Sequence, residues 1–511
     1  MADNTKREIE RKYEATPETR LPDLTRVAGV SAVQDKGVVD LDAVYYDTAD
    51  LRLAAASLTL RRRTGGADAG WHLKLPVAPG VRDEITAPLS EASVSETVPE
   101  DLASLVRART RGAELVPVMR LLSSRAVHHL ADADGALLAE LSRDAVRAER
   151  LTGGGRTAQW DEIEVELADG GDPAFLDAVD RRLRKAGLRP AASPSKLARA
   201  LAETSQDGPG GAPAAPEPAP APPRTAGDHV LAYLREQADA LKAYDPAVRR
   251  DLPDSVHQMR VATRRTRSAF RTYRKILDRT VTEPLGEELK WLAGELGAAR
   301  DHEVLAERLR SRIDALPVTL LLGPVRGRLV SWTVARGSDS RRRAVAVLDS
   351  ERYLGLLDAL DALLADPPLR KAASGPADSV LAQAACKEFE RLDARITHVL
   401  ALPPGEERDV AIHSARKVAK RARYAGEVAK PALGKPAKRF VKRMKAVQTE
   451  LGDHQDSVVA REALRLLAAQ AHAAGETAFT WGLLYGREEA AADARERELP
   501  AVWAKASRPV L

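Results

Sequence analysis

Two stretches 156 positions apart carry one polar pattern: His257, Arg260, Arg264 and Arg267, then His413, Arg416, Lys420 and Arg423. Both obey H-x2-R-x3-[RK]-x2-R. At 3.6 residues per turn, steps of three, four and three put all four side chains on one stripe of a helix. Arg271 and Arg274 extend the first stripe, and from His257 to Lys275 there are seven Lys or Arg and no acid. A core-facing stripe would be apolar and a solvated one would mix signs. This one suits a polyanion.

Acids form a second pattern. In Glu8-Ile9-Glu10-Arg11-Lys12 a strand would point Glu8, Glu10 and Lys12 to one face, because side chains alternate with period two. Glu162-Ile163-Glu164-Val165-Glu166 does the same with three glutamates. A single such row commonly lines a solvated sheet face. Two rows meeting around a closed barrel would bring carboxylates together at a Coulomb cost, unless a divalent cation or basic groups compensate. Such basic groups are present: Arg61 and Arg63 on one face of LRRR, Lys74 in WHLKL, Arg82 before Glu84, Arg125, and Lys196 in SPSK. Hard carboxylate oxygens would take Mg2+ or Mn2+ while Lys and Arg hold non-bridging phosphate oxygens. No GxxxxGK[ST] loop offers another phosphate cradle.

These residues need two kinds of scaffold. Up to about residue 203 the chain reads as short alternating runs (REIERKYE, VVDLDAVYYDT, LTLRRRT, WHLKLPV, ALLAELSRDAV, EIEVEL) separated by Gly-rich breaks, with helical patches near 95–110 and 173–187. From Ser205 to Gly227 runs a Pro/Ala/Gly segment, expected to be a semi-rigid linker. After it, Ala/Leu/Arg segments with helical periodicity predict an all-α half. That half repeats more deeply: Leu296-Gly297 before Arg300-Asp301 returns as Leu451-Gly452 before Gln455-Asp456. Two stacked helical units would bring the basic stripes together.

Bulk composition sets limits. A chain of 511 residues exceeds one core, so two or three domains are expected. The net charge is only +5 against 79 basic and 74 acidic residues, so anion affinity must arise from local clustering. A lone cysteine, Cys386, excludes an internal disulfide and a thiolate zinc cluster, and suits a reducing compartment. No secretory signal or apolar span is legible, so a cytoplasmic, non-membrane protein is expected.

HQMRVATRRTRSAF, LGAARDHEVL, HSARKVAKRARYAGE and LGDHQDSVV resemble a CHAD domain, an α-helical polyphosphate-binding family, over about residues 228–511. The resemblance implies two pseudo-symmetric four-helix bundles around a basic channel. It assigns His257, Arg260, Arg264, Arg267, Arg271, His413, Arg416, Lys420 and Arg423 to polyphosphate, with Asp301 and Asp456 placed to orient them or to serve as caps and salt bridges. EIERK, YYDT, LRRR, WHLKLP, Arg82 with Glu84, EIEVEL and SPSK, in that order, resemble a CYTH domain of the triphosphate tunnel metalloenzymes over about residues 4–203. That implies an eight-stranded antiparallel barrel, domain bounds of 1–203, 204–227 and 228–511, and an α+β multidomain fold class. It makes Glu8, Glu10, Glu164 and Glu166 metal ligands for Mg2+ or Mn2+, supported by Glu162. Lys12, Arg61, Arg63, Lys74, Arg82, Arg125 and Lys196 then bind phosphate. On ALLAELSRDAV, Asp144 or Glu140 would supply a further acid.

The expected activity is metal-dependent hydrolysis of inorganic triphosphate, with polyphosphate held by the second half, in the cytoplasm or at polyphosphate granules. The alternatives are action on a nucleoside or thiamine triphosphate, including cyclisation of ATP, and a non-catalytic polyphosphate scaffold. Aromatics are 4% of the chain, which argues against nucleic-acid stacking.

Overall fold

The computed structural model describes residues 5–89, 97–205 and 223–508. Most of the expected linker lies outside these residues, as do the side chains of 298–301, including Asp301, and of 335–339. The chain forms two compact units, residues 1–220 and 221–511.

In the first unit eight antiparallel strands close a barrel: β1 (Thr5–Ala15), β2 (Ala32–Asp47), β3 (Thr59–Thr64), β4 (Gly70–Ala78), β5 (Val81–Ala87), β6 (Val116–Ala131), β7 (Leu137–Arg150) and β8 (Thr157–Leu167), ordered β1-β5-β4-β3-β2-β6-β7-β8. Among the described residues four α-helices accompany it: α1 (Arg52–Ala55), α2 (Glu100–Thr110), α3 (Pro173–Lys185) and α4 (Lys196–Glu203). Alternation decides which side chains face inward. Tyr13, Ile163 and Val165 point outward and are sealed under Leu176, Val179 and Leu183 of α3. Burying each of these apolar side chains contributes about 1.5–3 kcal/mol. With the odd positions so engaged, Glu8, Glu10 and Lys12 of β1 and Glu164 and Glu166 of β8 line the lumen. Pairing sets Glu10 opposite Glu166 and Lys12 opposite Glu164. Gly80 forms the β4–β5 turn with φ +69° and accepts the Glu10 N–H at 3.0 Å. A Cβ there would lie 2.9 Å from the Glu10 carbonyl oxygen, so only glycine lets the turn dock on this strand. Toward the other end, apolar residues Tyr45, Met119, Leu121, Val146 and Trp160 pack against Leu197, Ala200 and Leu201 of α4.

The second unit is helical: α5 (Ala226–Arg249), α6 (Ser255–Thr272), α7 (Arg279–Glu295), α8 (Gly297–Asp314), α9 (Val325–Asp349), α10 (Glu351–Ala365), α11 (Ala377–Ala401), α12 (Glu406–Leu433), α13 (Lys435–Ala473) and α14 (Phe479–Ala506). Its first helix opens with a Thr225–Asp228 capping box, so residues 226–227, expected as linker, are helical. The repeat is visible in the elements. The basic stripes fall on α6 and α12, and the Leu-Gly pairs fall at the α7–α8 break and inside the continuous α13. Helices α11–α14 share a core around Ile412, Met444, Leu451 and Trp503. The far ends of α13 and α14 join α8 and α9 around Trp332, Leu467 and Trp481. Across the repeats, α6 packs on α12, and the buried Tyr273 hydroxyl donates to the Ala425 carbonyl at 3.1 Å. Among the described residues no helix is long and apolar enough to cross a membrane.

Candidate functional site

The barrel encloses a cavity of about 600 Å3, lined by eight basic and eight acidic side chains among the described residues. Every expected barrel residue lines it except Glu162 and Asp144, both of which pair with Lys196 of the lining. Because the two signs balance, the walls alone give a bare polyanion little net attraction. Binding one there calls for a cation on the acids.

Two clusters divide the lumen. In the first, Lys74 Nζ lies 2.5 Å from Glu8 and 3.6 Å from Glu84, while Glu84 lies 2.9 Å from His72 Nδ1 and 3.9 Å from Arg61. Burial raises the Glu8 carboxyl to about 7, helped by the charges of Glu84 and Glu166 and opposed by Lys74. Burial also pushes Glu84 upward, but the His72 hydrogen bond and the Lys74 and Arg61 charges outweigh it and hold Glu84 well below the carboxylate range. Of the two acids, Glu8 is therefore the one that takes up a proton first as pH falls. Nearer the mouth, Lys6 pairs with the partly exposed Glu166 at 2.6 Å.

The second cluster centres on Lys196, the first residue of α4, whose cap is the Ser195 hydroxyl accepting from the Ala198 N–H at 3.1 Å. An ammonium is disfavoured at a helix N-terminus. Here three carboxylates stabilise it: Glu162 at 2.6 Å, Glu164 at 2.7 Å and Asp144 at 2.9 Å. Arg125 grips Asp144 through two bonds of 2.7 and 2.8 Å and reaches Glu164 at 3.0 Å. Lys12 joins Glu164 to Glu10, the latter at 3.1 Å. Burial works against ionisation of Glu164, yet Lys12, Lys196 and Arg125 together hold its carboxyl well below the usual range. Trp160 Nε1 donates to Glu162 at 2.7 Å and fixes its orientation.

The carboxylate oxygens of Asp144, Glu162 and Glu164 lie within 4.8 Å of one another, a donor set of hard oxygens suited to Mg2+ or Mn2+. Of the four expected ligands only Glu164 belongs to this trio. Glu8, Glu10 and Glu166 are each tied to a lysine on the same cavity wall. On the opposite wall Arg61 Nη1 donates to the Tyr45 hydroxyl at 3.4 Å, and Arg63 pairs with Asp68. Burial, with the charges of Arg61 and Arg125, lowers Arg63 to about 9. The buried Nε groups of Arg61 and Arg63 have no hydrogen-bond acceptor among the described residues. Arg82 lines the same cavity and donates to the Pro194 carbonyl at 2.8 Å.

Tyr45, in YYDT, and His72, in WHLKLP, join the lumen as motif residues given no role of their own, whereas Asp68 has no sequence signal. Glu84 could be found from its period-two relation to Arg82. Asp144 rather than Glu140 enters the trio because it faces Arg125 in register; Glu140 lines the mouth beside His129, 3.4 Å away.

The helical unit holds a cavity of about 920 Å3 between α6 and α12. All nine expected polyphosphate residues line it. Among the described side chains eleven Lys and Arg face one acid, Asp456, so the lining carries a strong net positive charge, unlike that of the barrel. The Leu-Gly motif explains its own recurrence: Arg260 Nη1 donates to the Gly297 carbonyl at 3.1 Å, and the equivalent Arg416 lies against Gly452 and 3.5 Å from Asp456. Burial, then Arg416 and Arg264, lowers Lys420 to about 7, with Asp456 opposing and Arg423 adding a smaller push. Burial and Lys417 lower His413. One expectation is corrected. Arg274 does not extend the stripe, because α6 ends at Thr272 where the Tyr273 ring turns into the core. A further acid–histidine cluster, Asp409, His454 and Glu496, is neutralised by Arg461 and Arg408, each at 3.2 Å, and reads as a structural ion-pair network.

A barrel with an acid–base lumen joined to a duplicated helical unit with a cationic cavity defines a two-module architecture. The CYTH domain family matches residues 6–201 and the CHAD domain family matches residues 232–465. Two uncharacterized proteins of Mycobacterium tuberculosis, from strains CDC 1551 and H37Rv, are each 40% identical over 516 residues, covering 98% of this chain and 97% of theirs. The chain belongs to the proteins that join a CYTH domain to a CHAD domain. Among solved structures it is similar to the CHAD domain from the plant Ricinus communis (26% identity, 56% of this chain, 93% of that one, TM-score 0.45). It is also similar to HpAC1 from Hippeastrum, described as having a dominant triphosphatase activity (18% identity, 39% and 96%, TM-score 0.25).

Proposed function

We propose that the barrel hydrolyses inorganic triphosphate to pyrophosphate and phosphate with Mg2+ or Mn2+, and that the helical unit binds polyphosphate. One observation carries this reading: acids from β1, β7 and β8 and bases from β1, β3, β4, β5, β6 and α4 face one enclosed lumen. Glu8, Glu10, Glu164 and Glu166 would hold the cation, with Asp144 and Glu162 behind Glu164. Bound there, it would polarise a phosphoryl oxygen and offset the charge of the substrate. Arg61, Arg63 and Arg82 would hold non-bridging oxygens, while Lys12, Lys74, Arg125 and Lys196 divide their charge between carboxylates and phosphate. Their fixed positive charge would stabilise the terminal phosphoryl group as water attacks phosphorus and the bond to pyrophosphate breaks. No covalent nucleophile is required.

The cationic α6–α12 cavity would hold a longer chain of phosphates. Tethered to the barrel, it would raise the local concentration of chain ends or carry the enzyme to polyphosphate deposits in the cytoplasm. The test is a metal-dependent phosphate-release screen with triphosphate, ATP, thiamine triphosphate and long polyphosphate. Triphosphate is expected to turn over fastest, and Glu10→Ala and Glu164→Ala to abolish release. Faster turnover of ATP would replace the substrate. Unchanged release in both variants would leave a binding scaffold.

A further inference from the structure

Resting on polyphosphate binding by the helical unit, we propose that the anion path leaves the central cavity on one side only, through a second cationic station on α6, α11 and α12. The unit would thereby select long chains over short oligophosphates.

A cavity of about 630 Å3 lies there, lined by Arg271, Arg274, Arg391, Arg395, Lys417 and Arg421, together with His398. Its lining contains no acid among the described residues, whereas an ordinary solvated helix face mixes signs. Arg271, Lys417 and Arg421 belong to both cavities, so one row of cations continues from the centre outward. The station is built rather than incidental. Beneath it the buried Glu388 carboxylate accepts from Arg421 Nε at 3.0 Å and pairs with Arg391, fixing two guanidinium groups that face the cavity. The Arg421 charge is the largest influence lowering the Arg271 pKa, a measure of how closely like charges are held. Arg274, displaced from the α6 stripe by the helix end, finds its place here.

A second neighbouring cavity, toward the start of α12, differs. The cavity that shares His413 and Gln455 with the centre carries Glu406, Asp409 and Glu462 beside Arg461 and Arg465. Those acids oppose a polyanion on that side. A chain of phosphates seated between α6 and α12 therefore extends toward α11.

The experiment uses the full-length protein in EDTA. It measures the Kd of labelled long-chain polyphosphate, its salt dependence, and its displacement by inorganic tripolyphosphate. Arg274 and Arg395 are exposed, so Arg274→Glu/Arg395→Glu should fold normally. In it the long-chain Kd should rise about tenfold with a shallower salt slope, because phosphate contacts are lost, while displacement by tripolyphosphate is unaffected. Arg264→Ala/Lys420→Ala should weaken both. A long-chain Kd and salt slope unchanged in the first variant but not in the second would overturn the extension and leave the central site standing. Unchanged values in both variants would overturn the polyphosphate reading itself.

Discussion

The Lys196 ammonium lies 2.7 Å from Glu164 Oε1, with Glu162 and Asp144 equally near, so one buried cation holds three buried carboxylates together. Removing one partner of a buried ion pair usually costs about 3–5 kcal/mol, because the remaining charge is left uncompensated. In Lys196→Met three acids lose a shared counter-charge at once, and only Asp144 and Glu164 keep others, in Arg125 and Lys12. Thermal unfolding in EDTA should shift down strongly, and millimolar Mg2+ or Mn2+ should recover much of the loss by occupying the same oxygens. An equal drop with and without metal would show that the trio takes no cation.

Arg63 stands in the reverse situation: a buried guanidinium crowded by Arg61 and Arg125, with an unsatisfied Nε. Such a group costs stability in the empty protein and gains it when an anion arrives. In Arg63→Met the melting temperature without ligand should hold or rise. The shift produced by triphosphate with Mg2+ should shrink, and KM for triphosphate should increase about tenfold, the loss of one charge-assisted hydrogen bond of about 1.5 kcal/mol. A lower melting temperature with KM unchanged would make Arg63 structural, held by Asp68.

The charge census of the two cavities separates their metal dependence. Among the described side chains the barrel lumen balances eight bases with eight acids, whereas the α6–α12 cavity sets eleven bases against Asp456. EDTA should therefore abolish phosphate release yet leave polyphosphate binding intact, and added salt should weaken that binding steeply. Filter binding and phosphate release measured on the same preparation check both halves. Loss of polyphosphate binding in EDTA would show that the helical cavity also depends on a metal.

The acid ladders are legible because period-two alternation leaves little choice: once Ile163 and Val165 are recognised as core, Glu162, Glu164 and Glu166 must face the other way. The lumen's remaining composition is less legible. Strand β6 (VPVMRLLSSRAVHHLA) mixes apolar and polar residues without clean alternation, so its pairing of Arg125 with Asp144 emerges only from the register with β7. His72 and Asp68 reach the site through a hairpin whose geometry no local pattern announces. In the helical unit the duplicated stripes give away the cavity, since the spacing of His257 to Arg267 survives intact on one helix face. Arg274 fails that reasoning because helix periodicity does not reveal where a helix stops. The role of Arg391 and Arg395 is hidden for a related reason: it depends on a third helix, α11, packing beside α12.

Lys420 offers a pH test with a definite sign. Burial and the charges of Arg416 and Arg264 bring its pKa down to about 7, from an ordinary value of 10.5. Between these pH values the unfolded chain binds the proton and the folded protein does not. Stability of the empty protein should thus rise with pH through this window, and the Lys420 contribution is unfavourable below about 7. Bound polyphosphate favours the charged ammonium and raises the pKa, so binding above pH 7 must take up a proton. Affinity should consequently fall as pH rises from about 7 to 9, by up to tenfold per unit for this one group. Lys420→Arg should flatten the profile while retaining affinity, because a guanidinium keeps its proton across this range. Calorimetry in two buffers of different ionisation enthalpy reads the proton uptake directly. Equal heats in both buffers above pH 7 would mean that Lys420 is already charged in the empty cavity.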